Sequence, residues 1–221
     1  MINPRTFEPQ NVNDCVFGNP RAKVTLEDLV NGATPFPAFG KCGILLYGAW
    51  GTGKTTLARL IPEAMEQARG GSDPTVRWVA CNGPNTGTST VTTIVSQTQL
   101  ISGNQSGLHY VVLDEVDNLT QLAQQHLKSA MAYKHAVFIL TTNHITEVDK
   151  GVQNRCHLID MNAAQPSDWL PQVRQVIAAC GAPVPDDSVL LPIIAAGNGS
   201  AREIVSSAVA VANEIRRQQA A

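Results

Sequence analysis

Five short apolar runs recur along the chain, at residues 44–47, 76–81, 109–113, 136–142 and 156–161. Each is nearly continuous rather than alternating, the pattern of strands buried on both faces of a parallel sheet. Helix-like stretches lie between them, at 54–68, about 90–101 and 121–133. Spacings this short imply right-handed crossovers and an open, doubly wound sheet. After Met161 the strand pattern stops, and Asn162-Ala-Ala-Gln-Pro166 reads as a linker. Ser167 or Asp168 can cap a helix running to about Cys180, with Pro171 in the first turn, where a missing N–H is tolerated. Asp186 or Asp187 can cap a second helix ending near Gly197. Ser200 can cap a third, on which Ile204, Ala208, Val211 and Ile215 share one face. The pattern predicts an α/β core over residues 1–162 and a small three-helix lid over 163–221.

Length agrees, since 221 residues hold one α/β domain plus a small second one with ample core. There is no internal repeat and no apolar run of membrane-span length. Met1-Ile-Asn-Pro-Arg lacks a basic segment followed by an apolar one, so no export leader is expected. The five cysteines (Cys15, Cys42, Cys81, Cys156, Cys180) are odd in number and contain no C-x-x-C pair. That argues for reduced thiols in a cytoplasmic protein and against a zinc module; Cys156-His157 is a poor metal pair. Net charge is −2, so any nucleic-acid contact must come from a local patch or from several subunits together.

The chemistry concentrates at strand ends. Gly48-Ala-Trp-Gly-Thr-Gly53-Lys54-Thr55 follows the first strand and opens the first of these helices, fitting G-x-x-x-x-G-K-[ST]. Such a loop aims successive backbone N–H groups into one concavity. Lys54 adds a point charge at the β/γ-phosphates, and the Thr55 hydroxyl is placed to hold Mg²⁺. The motif points to a bound nucleoside triphosphate with Mg²⁺, cradled by Gly48, Trp50, Gly51, Thr52, Gly53, Lys54, Thr55 and Thr56. Trp50 is a bulky choice that the motif does not call for.

A second strand, His109-Tyr-Val-Val-Leu-Asp114, ends in acids. Ligands of open α/β sheets sit at the carboxyl ends of strands, so Asp114 would reach the metal. Glu115, one residue on, would face the γ-phosphate, where a carboxylate can polarise an attacking water. Phe138-Ile-Leu-Thr-Thr-Asn143 also ends in polar residues, and a neutral amide at Asn143 could hold that water. Arg155 precedes the last strand and Arg202 begins the last lid helix. Taken singly, each arginine reads as a surface charge.

Together these residues resemble the AAA+ ATPases, and within them the clamp-loader group of replication factor C small subunits and their phage relatives. The order is the P-loop, Asp114-Glu115 as Walker B, Asn143 as sensor 1, Asn154-Arg155-Cys156 where the group has Ser-Arg-Cys, and Arg202 as sensor 2. The leading segment, Phe7-Glu-Pro through Gly18-Asn, matches as well. The resemblance implies a five-stranded parallel sheet in order 5-1-4-3-2 with a three-helix lid. It makes Glu115, Asn143 and Arg155 catalytic, with Arg155 acting in trans on a neighbour's ATP. It gives Thr55 and Asp114 to Mg²⁺, Arg202 to the nucleotide, and Val16 and Phe17 to the adenine. The implied partners are other AAA+ subunits, a sliding clamp, and DNA reached through an assembled ring; no membrane is implied. The loop 85–90, from Asn85 to Thr90, matches the group's DNA-facing element, but the helix after it carries no Lys or Arg through Ile101. Phosphate contact would then rest on backbone N–H groups and the hydroxyls of Thr88, Ser89 and Thr90. The sequence stops at Ala221, before the group's C-terminal helical collar. The alternative reading is a nucleotide-gated assembly regulator, or a helicase or transposition loader, forming rings or filaments on DNA.

Overall fold

A computed structural model describes residues 7–132 and 135–220. Helix α1 (Pro20–Asn31) comes first. The Asn19 side chain accepts from the Arg21 and Ala22 amides, Pro20 takes the first position, and Gly32 turns left-handed to end it. Strand β1 (Gly43–Tyr47), helix α2 (Lys54–Gln67), strand β2 (Val76–Ala80), helix α3 (Thr88–Thr98) and strand β3 (His109–Asp114) follow. Then come α4 (Gln121–Ala130), β4 (Ala136–Thr142), α5 (Lys150–Asn154) and β5 (Cys156–Asp160). The α5 turn was not foreseen; Asp149 caps it by accepting from the Gly151 and Val152 amides.

All five strands are parallel, in the order β2-β3-β4-β1-β5, which is the expected 5-1-4-3-2 read from the other edge. In the central strands alternate residues face opposite layers. Ile44, Leu46, Tyr110, Val112, Val137 and Ile139 pack with α1 and α2. Leu45, Val111, Leu113, Phe138 and Leu140 pack with α3, α4 and α5. Burial on both faces explains the continuous apolar runs, and each such Leu or Ile contributes about 1.5–3 kcal/mol.

A third cluster is formed by α6 (Leu170–Ala179), α7 (Asp187–Ala196) and α8 (Ala201–Ala220) around Trp169, Ile177, Leu190, Ile194 and Ile204. One expected cap and one expected helix face need adjustment. Asp168 accepts from the Gln165 amide within a 3-10 turn, Pro166–Trp169, that precedes α6, so it caps that turn rather than the helix. On α8 the buried positions are Ile204, Ala208 and Ala212, with Ile215 packed beside them; Val211 is turned partly outward. At about 100° per residue Val211 falls about 20° to one side of Ile204 and Ala212 about 40° beyond Ala208 on the other, so the packed face of α8 is turned toward the Ala212 side. The described helices include none long and apolar enough to cross a membrane, and all five cysteines are free thiols.

Candidate functional site

The P-loop leaves β1 at Tyr47 and enters α2 at Lys54. Gly48 has φ 149°, and a Cβ there would stand 2.7 Å from the Met161 carbonyl carbon, so only glycine lets the loop pass so close to the end of β5. Asn162 steadies the next residue by accepting from the Ala49 amide at 3.3 Å. Lys54 is buried, and its ammonium donates to the Gly48 and Ala49 carbonyls at 2.8 and 2.6 Å. Burial lowers its pKa, while the carboxylates of Asp117, Asp114 and Glu115 oppose that shift. The Thr52 hydroxyl closes the loop on the Ala49 carbonyl at 2.9 Å.

Thr55 and Asp114 meet as the sequence implied: the Thr55 hydroxyl donates to Asp114 Oδ1 at 2.9 Å. Thr141, on β4, donates to the same oxygen at 2.7 Å and accepts from the Glu115 amide at 2.9 Å. Glu115 is thereby held left-handed, at φ 58° and ψ 55°. For a residue with a side chain this costs on the order of 1–3 kcal/mol. The twist takes the Glu115 carboxylate out of the strand direction, and Asn118 Nδ2 donates to it at 3.4 Å. Among the described residues no group of three or more His, Cys, Asp or Glu forms a metal cluster. One hydroxyl and one carboxylate still fit Mg²⁺, which keeps several waters and shares its shell with substrate phosphates.

Thr141 and Asp117 are site residues that the sequence reading did not assign. Thr141 is fully buried within an apolar strand, and nothing in the pattern distinguishes its hydroxyl from that of Thr142. Asp117 is three residues past Asp114, and its Oδ1 is buried without a hydrogen-bond partner. Its charge acts on Lys54 more strongly than either motif acid does.

Asn143 follows β4 at the same sheet end. The next residue, His144, meets Trp50 edge-on at 5.2 Å between ring centroids, so the tryptophan bridges the P-loop and the sensor-1 turn. Val16 lines an apolar slot with Cys15, Thr52, Gly53, Thr56, Met161, Trp169 and Val205, beside the P-loop and under the lid. Phe17 points the other way and packs in the core layer with α1 and α2. Val16 therefore borders the slot, while Phe17 belongs to the core.

The lid touches the P-loop directly. The Ala201 amide donates to the Gly51 carbonyl at 2.8 Å, and a Cβ on Gly51 would collide with the Ser200 hydroxyl. Arg202 therefore starts one residue from the phosphate cradle, with its side chain exposed. Arg155 is elsewhere. It precedes β5, its backbone carbonyl accepts from the Cys42 and Gly43 amides, and its guanidinium donates to the Gly151 carbonyl at 3.0 Å. That is the opposite end of the sheet from the P-loop, roughly 15–20 Å away at about 3.3 Å per strand residue. The 85–90 loop runs through a 3-10 turn, Gly83–Thr86, into α3 and borders an open groove with Arg77, Trp78 and Thr93. Arg77, from edge strand β2, supplies a cation that this region's own helix lacks.

Comparison with known proteins matches residues 44–162 to the ATPase family associated with various cellular activities (AAA). The chain belongs to this family. As an AAA ATPase it is 25% identical over 172 residues to replication factor C subunit 4 of Encephalitozoon cuniculi, covering 77% of this chain and 52% of that one. It is 27% identical to replication factor C small subunit 2 of Pyrobaculum islandicum, covering 77% and 54%. A probable replication factor C subunit 2 of Dictyostelium discoideum is 29% identical over 99 residues, covering 44% and 29%. The AAA ATPase thus spans about half the length of the longer-matching relatives. Its fold is shared with the RuvB Holliday junction branch migration motor of Thermotoga maritima, at TM-score 0.69 and 16% identity, covering 96% of this chain and 65% of that one.

Proposed function

We propose that this AAA ATPase hydrolyses ATP with Mg²⁺ as an oligomer of the clamp-loader type and acts on DNA during replication. One observation carries the reading: phosphate-binding and water-activating groups meet at one end of the sheet, while Arg155 stands at the other. Lys54 and Arg202 are the site's own cations in this reading, and the further arginine comes from a second subunit. The replication factor C relatives support the replication role.

In this reading residues 1–162 form the catalytic core and residues 163–221 a lid domain. P-loop amides and Lys54 bind the β- and γ-phosphates, Lys54 exchanging its carbonyl partners for phosphate oxygens. Thr55 and Asp114 would hold Mg²⁺, which when bound neutralises phosphate charge. Glu115 takes the proton of the attacking water, Asn143 orients that water, and Arg202 reaches the phosphates from the lid. A neighbour's Arg155 offsets charge growing on the γ-phosphate, an effect worth about 10³–10⁵ in rate. The slot beside Val16 takes the base. DNA phosphates meet the loop that starts at Asn85, with the hydroxyls of Thr88, Ser89 and Thr90 and the Arg77 cation. The protein partner is a sliding clamp, and its co-purification, rather than that of a helicase or recombinase, separates this reading from a loader or assembly regulator.

Mixing two inactive variants tests the shared site. Lys54→Ala fails at ATP binding, whereas Arg155→Ala binds ATP and hydrolyses it poorly. Their mixture contains interfaces joining an intact P-loop to an intact Arg155, so activity returns in part and rises with protein concentration. A mixture that stays inactive while mixed oligomers demonstrably form, or full-rate hydrolysis by verified monomers, refutes the reading.

A further inference from the structure

A two-residue turn, Phe39-Gly40, stands before β1. The Ala38 amide donates to the Lys41 carbonyl at 3.0 Å and the Lys41 amide to the Ala38 carbonyl at 2.9 Å. Both turn residues have positive φ, 53° at Phe39 and 77° at Gly40. Asn-Gly or Asp-Gly would make such a turn at least cost. A bulky aromatic in the left-handed region is unfavourable by on the order of 1 kcal/mol or more. Nothing in the monomer offsets this, because Phe39 is 92% exposed.

The turn belongs to the Arg155 end of the sheet. Lys41, its last residue, donates from Nζ to the Cys156 carbonyl at 2.6 Å, and the following residue, Cys42, bonds the Arg155 carbonyl. Lys128, packed against Gly151, adds a further cation to that end. Asp149 stands beside Lys128, so cations exceed acids there rather than stand alone. At the other end Asp114, Glu115 and Asp117 cluster around the Lys54 ammonium, Arg202 stands at the lid edge, and Trp50, 67% exposed, is on the rim. Each end therefore carries one large exposed aromatic, with cations in excess around Arg155 and acids in excess around the P-loop. Exposed aromatics are the side chains that anchor interfaces, and opposite charges fix orientation.

We infer that the Phe39-Gly40 turn docks on the nucleotide face of a second copy of this chain, against the Trp50 rim, and so aims Arg155 at that copy's phosphates. The contact is heterologous, the turn of one copy meeting the rim of the next, which builds rings or filaments rather than closed two-fold dimers. This inference rests on the shared-site reading above and supplies it with the element that seats the arginine.

The test is sedimentation velocity with Mg²⁺ and a nonhydrolysable ATP analogue, on wild type, Phe39→Asn, Phe39→Tyr and Trp50→Ala. Asn suits the turn, so Phe39→Asn melts no lower than wild type and binds nucleotide equally, while its self-association weakens at least 10-fold. Phe39→Tyr keeps the ring and keeps assembly. Phe39→Asn mixed with Trp50→Ala gives dimers that neither forms alone, because one retains the rim and the other the turn. Assembly of Phe39→Asn at wild-type strength overturns the docking role and leaves the shared site standing. A mixture without dimers overturns the head-to-tail pairing. Wild type that stays monomeric with nucleotide bound overturns both the inference and the shared-site reading.

Discussion

Thr141→Val isolates the one hydroxyl that joins both Walker acids. Valine has the shape of threonine and suits a buried strand, so packing against Asp114 and the core is kept. What disappears is the donor to Asp114 Oδ1 at 2.7 Å and the acceptor for the Glu115 amide at 2.9 Å. Asp114 keeps Thr55 as a partner, but the Glu115 amide is left without one. Losing this part-buried bond costs about 1 kcal/mol, which for a chain of this size lowers the melting temperature by about 2–4 °C. The second consequence is catalytic. Glu115 holds its left-handed backbone against a cost of similar size, and the Thr141 hydroxyl is the bond that opposes relaxation. Relaxation swings the carboxylate by an ångström or more, and displacement on that scale lowers the rate about 10–10²-fold. The assays are thermal denaturation, binding of a fluorescent ATP analogue, and steady-state hydrolysis. The expected pattern is reduced stability and kcat with nearly unchanged nucleotide affinity, and recovery of both by Thr141→Ser. Wild-type stability and kcat in Thr141→Val would refute the proposed role.

Two further predictions concern titratable groups in or beside the core. Burial alone would raise the Glu66 carboxyl, but the Ser106 hydroxyl and amide, the Tyr110 hydroxyl and the Arg69 charge together hold it below its ordinary value. A depressed carboxylate stabilises above its unfolded pKa of about 4.3 and loses that contribution as pH falls through the folded value. In urea denaturation, Glu66→Gln should lose about 3 kcal/mol at pH 7, with the gap to wild type narrowing below about pH 4; a pH-independent gap would contradict this. Burial and the neighbouring Asp14 charge, opposed by Lys23, push the Cys15 thiol up to about 12, so thiolate chemistry there is suppressed. Iodoacetamide at pH 8 should label Cys15 about 10³-fold more slowly in the native protein than in urea, read by peptide mass spectrometry; equal rates would mean the segment is not packed as described.

The sheet was legible because its chemistry is redundant. Central strands buried on both faces must be apolar throughout, and each active strand ends at a polar switch such as Leu113-Asp114 or Thr142-Asn143. Helix α5 was not legible, since five residues are too few to display a period. The exchange of Val211 for Ala212 has another cause: a sequence period locates a helix face only to within tens of degrees, and which flank is covered depends on where α6 and α7 pack. Phe17 differs because its ring packs in the core layer with α1 and α2, a tertiary contact that no local pattern announces. Thr141 was hidden because a hydroxyl inside an apolar strand has no sequence signature of its own. Its role depends on β3 and β4 being neighbours, with Leu113 opposite Leu140.

The lid contacts carry this one step further. A Cβ on Gly18 would stand 2.5 Å from the Ala163 carbonyl oxygen, and one on Gly48 would stand 2.7 Å from Met161. At Gly51 the P-loop carbonyl holds the first amide of α8. Leading segment, P-loop, linker and lid thus meet backbone to backbone, with glycines on the core side of each contact. Flexible side chains between them would absorb a shift of the loop; direct backbone contact transmits it, because close-packed main chain does not compress. Phosphates accept from the N–H groups of the same short stretch of loop whose Gly51 carbonyl accepts from the lid, so one segment serves both. The orientation of α6–α8 is consequently tied to the state of the P-loop through Gly51 and Ala201, with Arg202 the next residue along.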